Sequence, residues 1–305
     1  MNKFSKILYV AMALAMAVCN FSCSDDEELP TGNLELNSGS SVTTETLKVL
    51  SYNVLEGMKL DKANNYNNFV TWISEQAPDI MAIEETNGFT KEKLTALSTR
   101  WGHNYVEMCK EDGYPVSITS KYPIEVVGRI QNGVYHGGIH VKIKGINILV
   151  FHLYPFSDAP SGSSAANGDA YRLEEIQTYL DNTIRKYPDE KYWLMMGDFN
   201  SFSPLDKNDL SSGNTLNYQV HQTILDNGYR DPVREMNINF VRSCPTIYGG
   251  WTGPTESYKG SRIDFIYASG EAMRNMLNAQ ILMDNFTDNY SDHYPVTVTC
   301  RIYNE

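Results

Sequence analysis

Asp198 and Asn200 close the apolar stretch KYWLMMGDFN. Trp193, Leu194, Met195 and Met196 read as a strand bound for a core, yet the run ends on a carboxylate and an amide. In extended chain, residues two apart face the same way, so both groups can enter one site while Phe199 packs behind them. A lone polar group buried there costs roughly 2–7 kcal/mol, so Asp198 needs a partner. The pattern recurs. LKVLSYN reaches Asn53, DIMAIEE reaches Glu84 and Glu85, and INILVFH reaches His152. RIDFIY carries Asp264, and YSDHYPVTV sets Asp292 and His293 just ahead of the last strand. Acids, amides and imidazoles are the groups that hold a hard divalent cation and move protons.

Each residue alone has an ordinary reading. Asn53 suits a turn, Glu84-Glu85 a solvated strand end, and His152 a satisfied core histidine. Gly-Asp-Phe-Asn suits a β-turn, and Ser-Asp-His a helix cap. The joint pattern favours a site, because separate segments deliver the same kind of group at the same kind of position. Asp292 and His293 are adjacent and converge only in a turn, which Asn289, Ser291 and Pro295 permit.

Those residues need strands to carry them. LKVLSYNV and DIMAIEE read as strands flanking a helix with Phe69, Trp72, Ile73 and Gln76 on one face. Lys91 to Arg100 suggests a second helix. Short strands follow in NYVEMC, PVSITS, IEVVGRI, GIHVKI and INILVFHL, the last two joined by a hairpin turn at Lys144-Gly145. FSDAPSGSSAANGD is a loop by composition. Tyr171 to Arg185 returns to helical spacing, and RIDFIYAS and PVTVTCRIY are late strands. Strands cluster in runs rather than alternating with helices, which predicts α+β layers.

The front of the chain is different. Lys3 and Lys6 precede the apolar run Ile7 to Val18, the order of a secretion signal, and the run is short for a membrane span. Ser22-Cys23 followed by a polar, acidic tether resembles a bacterial lipoprotein cleavage site. The expected organisation is a signal over 1–22, a flexible acidic linker over 23–46 and one domain over 47–305. Lipidation of Cys23 would place the protein, exported, at the outer membrane or cell surface of a Gram-negative bacterium. Six acids and two bases precede Leu47, which leaves the domain 31 acids against 23 bases, a net −8. Such a domain gains little from phosphate counterion release, which disfavours broad nucleic-acid binding but not a local phosphate site built on a metal. Cys109, Cys244 and Cys300 permit at most one disulfide in the domain.

SYNVLEG, PDIMAIEET, SITSKYPI, ILVFHLY, MMGDFNS, SRIDFIYAS and SDHYPV resemble, in order, the motifs of the endonuclease/exonuclease/phosphatase superfamily. The resemblance covers Leu47 to about Tyr303. It implies an α/β four-layer sandwich, two packed and mostly antiparallel sheets flanked by helices. It also implies a monomeric, Mg²⁺- or Mn²⁺-dependent hydrolase acting on a phosphate-ester substrate. By motif, Asn53, Glu85 and Asp292 match metal-site positions, with Glu84 standing where the family often has Gln. His152, Asp198, Asn200, Asp264 and His293 match catalytic positions. The chemistry agrees. Oxygen ligands suit a hard cation, Asp198 suits the base for an attacking water, and an Asp264–His293 pair would keep an imidazolium against the phosphoryl oxygens. His152 would meet a phosphoryl oxygen or the leaving group, and Asn200 would orient water or phosphate. The histidines and cysteines show no zinc-ligand spacing.

Substrate is less legible. Ser261-Arg262-Ile263-Asp264 departs from the inositol-phosphatase pattern, and SFSPLDKNDL departs from the AP-endonuclease one. A phosphodiesterase is the simplest reading. A phosphomonoesterase, a sphingomyelinase-like lipid hydrolase and an idle surface binding lipoprotein on the same fold are the alternatives. Tyr248, Trp251 and Tyr258 could stack a sugar or base beside the site, or simply pack a surface loop.

Overall fold

The computed structural model describes residues 43–247 and 259–304. The expected signal, Cys23, most of the linker and the aromatic loop with Tyr248, Trp251 and Tyr258 lie outside the described residues.

Among the described residues, eleven strands form two sheets. The first contains β1 (Thr43–Asn53), β2 (Ile80–Glu84), β3 (Tyr105–Met108), β4 (Ser117–Ser120), β10 (Met276–Ile281) and β11 (Val296–Asn304), in the order β10-β11-β1-β2-β4-β3. The second contains β5 (Glu125–Ile130), β6 (Gly138–Ile143), β7 (Ile146–His152), β8 (Trp193–Asp198) and β9 (Asp264–Ala268), in that order. Pairing is antiparallel except between β1 and β2 and between β7 and β8. Each sheet therefore has one parallel pair, and both pairs carry site residues at their ends.

Strand alternation builds the layers. Leu47 and Val49 of β1, Ile148 and Val150 of β7, and Leu194 and Met196 of β8 share the core between the sheets. Their neighbours face outward into two further cores. Leu50 and Tyr52 meet Phe69, Trp72 and Ile73 of α2 (Asn67–Gln76) and Leu94 of α3 (Lys91–Ser98). Leu149, Phe151 and Met195 meet Ile176 and Leu180 of α4 (Gly168–Asn182) and Ile224 of α5 (Gln219–Asp226). Central strands buried on both faces read as unbroken apolar runs, which is why they were recognisable. This is the expected four-layer arrangement.

Several boundaries differ from expectation. β1 begins at Thr43, ahead of Leu47, because β11 extends far enough to pair with it. α4 begins at Gly168, where the Asn167 side chain accepts from Ala170 N, so the preceding loop is shorter than composition implied. β10 was not anticipated. It lies at a sheet edge, and Leu277, Asn278 and Gln280 are exposed, so it lacks an apolar run.

Candidate active site

β1, β2, β7 and β8 all end at one pole of the sandwich, where β9 begins. The registers pair Asn53 with Glu84, His152 with Asp198, and Asp198 with Asp264. The sheets are joined there by a side-chain hydrogen bond, in which Asn53 Nδ2 donates to Asp198 Oδ2 at 3.0 Å. Asn53 Nδ2 also donates to Glu85 Oε1 at 3.1 Å. Backbone N–H of Asn200 donates to Asp198 Oδ1 at 2.9 Å. Asp198 thus has the partners its burial demands.

The segment after β1 holds Glu85 in place. Leu55, Glu56, Gly57 and Met58 all have positive φ, and Met58 N and Lys59 N reach back to Val54 O and Leu55 O. They form one turn of left-handed helix, α1 (Leu55–Met58), an arrangement that costs L-residues roughly 1–2 kcal/mol each. The turn aims Glu56 N at Glu85 Oε2 (2.8 Å), Gly57 N at Glu85 O (2.7 Å) and Leu55 N at Asn53 Oδ1 (3.2 Å). A side chain at Gly57 would meet Asn87 O at 2.2 Å, so that position requires glycine. Glu85 (φ 60) and Asn200 (φ 44) are themselves left-handed. Strain of this kind gathers at working sites.

The two histidines are held differently. His293 Nδ1 lies 2.9 Å from Asp264 Oδ2, and its Nε2 lies 3.8 Å from Asp198 Oδ2. Burial disfavours the imidazolium, but Asp264, Cys244 and Asp198 together carry His293 well above its ordinary range. His152 is held well below its range by burial and by His136 and His293 nearby, so it is neutral. Its Nε2 accepts from Asn200 Nδ2 at 3.0 Å, while Asp198 Oδ2 stands at 3.4 Å, beyond an ordinary hydrogen bond. Asn200 Nδ2 also donates to Leu153 O at 3.0 Å.

The carboxyls crowd one another. Burial pushes Asp198 up to about 7, with His293 pulling it down and Asp264 adding to the rise. Burial likewise raises Glu85; the Glu56 N–H, His293 and Asn53 oppose it, and Asp292 reinforces it. Glu84 is pushed well up by burial and then by Asp264, with Ser51 Oγ donating to its Oε1 at 3.0 Å. Buried negative charge of this density is what a divalent cation offsets, so the donor set fits a hard metal. Asp198, Asp264 and His293 offer ligand atoms within 4.8 Å of one another. Glu85, Asn53 and Asp292, the positions expected from sequence to hold a metal, lie beside this group.

All eight expected domain positions therefore meet at this pole. Three supporting residues were not anticipated. Ser291 Oγ donates to Asn53 O at 2.7 Å and accepts from His293 N at 3.1 Å, tying the closing pair to β1. Ser243 Oγ accepts from Asp264 N at 3.0 Å. His136 stacks on His152. The partner a loop hydroxyl will bond cannot be read from sequence, and nothing in the residues around His136 marks it as part of a site.

A family model described as Endonuclease/Exonuclease/phosphatase family matches residues 50–293. No curated protein matches the chain. Among solved structures, an AP endonuclease from Archaeoglobus fulgidus superposes with a TM-score of 0.63 at 20% identity, covering 83% of this chain and 98% of that one. A 3′ phosphatase from Neisseria bound to a product DNA hairpin gives 0.61 at 16%, covering 83% and 98%. TDP2 of D. rerio complexed with single-strand DNA product gives 0.58 at 15%, covering 85% and 99%. At these identities the likeness is one of fold.

Proposed function

The chain belongs to the Endonuclease/Exonuclease/phosphatase family, and from that premise we propose that it is an exported, divalent-cation-dependent phosphoesterase, most simply a phosphodiesterase. The observation that carries the reading is the Asn53–Asp198–Asn200 hydrogen-bonded set, with His152 bonded to Asn200 and the His293–Asp264 pair beside it. Glu85, Asn53 and Asp292 would hold Mg²⁺ or Mn²⁺, which when bound neutralises phosphoryl oxygens.

The chain's own residues do the rest. Asp198, with a carboxyl brought near neutrality, takes the proton of the attacking water. Asn53 and Asn200 fix that carboxylate by donating to separate oxygens, Asn200 through its backbone. His293, kept charged by Asp264, faces the phosphoryl oxygens as their charge grows. His152 Nε2, which accepts from Asn200, lies 3.4 Å from the same Asp198 oxygen that His293 Nε2 approaches at 3.8 Å, and helps hold the Asp198–Asn200 pair in place.

Two of the similar structures hold product DNA, one of them a 3′ phosphatase, so nucleic-acid phosphoesters, diester and terminal monoester, are the first substrates to assay. The domain's acidity weighs against long-range capture of polyanions, and a single phosphate held at the metal is the part of the interaction that survives it. A panel of a bis-aryl phosphodiester, an aryl phosphomonoester, plasmid DNA and sphingomyelin, with and without EDTA, tests the reading. Turnover is expected to need Mg²⁺ and to fall by about 10²–10⁴-fold in Asp198→Asn. Equal rates for wild type and Asp198→Asn would reject the assignment of the base. Export as a lipoprotein is tested separately, by loss of labelled-palmitate incorporation in Cys23→Ser.

A further inference from the structure

His152 has no polar support on its far side. Its Nδ1 is buried and has no hydrogen-bond partner among the described residues. By contrast, His293 Nδ1 rests on a carboxylate. What touches the His152 ring is another imidazole. His136 lies against it with centroids 4.3 Å apart and planes at 18°. His136 is 4% exposed, and its Nε2 also lacks a partner.

The mounting beneath His136 is tight. Tyr135 meets its ring edge-on at 4.8 Å and 88°, and Tyr114 at 5.6 Å and 63°. Gly137 follows at φ 85, and a side chain there would stand 2.7 Å from Cys109 Sγ. The backbone beside His136 is thereby packed closely against Cys109, which follows β3 of the first sheet.

We propose that His136 is a positioning residue for His152: the plane of its ring, not a hydrogen bond, sets the angle at which His152 Nε2 meets Asn200 and Asp198. A carboxylate behind His152 would fix the ring but would also favour its charged form. A stacked ring fixes it without adding charge. The kinetic part of this inference rests on the hydrolase reading above; the structural part does not.

The test compares His136→Ala and His136→Phe in the full protein. It reads kcat and KM on a bis-aryl phosphodiester with Mg²⁺, thermal stability, and the ring resonances of ¹⁵N-labelled histidine. His136→Ala is expected to lower kcat about tenfold with KM near wild type, to lower Tm because it opens a cavity beside a buried ring, and to broaden or split the His152 resonances. His136→Phe, which keeps a flat ring, is expected to recover most of kcat and a single sharp His152 signal. Unchanged kcat and unchanged His152 resonances in His136→Ala would overturn the proposal. So would equal impairment of both variants. A wild type that hydrolyses no ester rejects the hydrolase reading instead, and the ring resonances then decide this inference alone.

Discussion

Asn53 and Asp198 are 145 residues apart in the chain and 3.0 Å apart in space, and their hydrogen bond joins the two sheets at the site. The bond works because Asn53 donates where a carboxylate can only accept. Asn53→Asp replaces the donor with a second buried negative charge. Without metal, that variant is expected to lose on the order of 1–3 kcal/mol or more of stability at neutral pH. Added Mg²⁺ should recover more stability in the variant than in wild type, because a cation can sit between two acids. Denaturant unfolding with EDTA and with Mg²⁺ measures both; equal stability of the two proteins in EDTA would contradict the account.

Asp264 keeps His293 charged. Because His293 is raised, its imidazolium persists as pH climbs and is lost only when pH passes that elevated value. In Asp264→Asn, the charge should be lost at lower pH. The alkaline limb of the pH–rate profile is therefore expected to move down, with kcat at pH 8 reduced on the order of 10²-fold or more. An alkaline limb that stays in place would show that His293 does not act as a cation.

Glu84 stands where the family often carries Gln, and its raised carboxyl explains how an acid is tolerated. Fully buried beside Asp264 and Asp198, it holds its proton and has the shape of the amide. Its folded value lies above its unfolded one, so the folded state binds more protons and is progressively destabilised as pH rises above the unfolded value. Glu84→Gln should keep near-wild-type turnover. In EDTA, its stability advantage over wild type should widen from pH 5 to pH 9. A constant difference across that range would mean that Glu84 is not the titrating group.

Behind the site, Arg262 is 1% exposed and contacts Asp206 at 2.8 Å and Asp231 at 2.6 Å. Asp206 remains raised to about 6, burial outweighing the Arg262 charge. Arg262→Met leaves two buried carboxylates facing each other and is expected to cost roughly 3–5 kcal/mol at pH 7. The cost should shrink toward pH 5 as Asp206, already raised to about 6, takes up a proton. A loss under 1 kcal/mol at pH 7, by chemical denaturation, would show that the cluster relaxes to solvent.

Much of this could be read from sequence because central strands buried on both faces leave apolar runs. A polar residue ending such a run is conspicuous, as at His152 and Asp198, and so is one opening it, as at Asp264. The turn at Asp292-His293 was readable from Ser291 and Pro295, although the hydrogen bond from Ser291 to Asn53 was not. What escaped depends on the third dimension. Nothing in Leu55-Glu56-Gly57-Met58 announces a left-handed turn, since three of its residues favour the opposite hand. His136 lies in a glycine-flanked loop, and only the folded sheet brings it onto His152. β10 carries too many exposed polar side chains to stand out.

The direction of β1 has a practical consequence. The strand is 11 residues long, enters at Thr43 and delivers Asn53 at the reacting end, a span on the order of 35 Å. Anything joined ahead of Thr43, whether a resin bead, a fusion partner or a lipid bilayer, takes hold of the domain by its back. That entry lies at the end of β1 away from Asn53, so immobilising the protein through its leading residues is expected to leave access to the candidate site untouched.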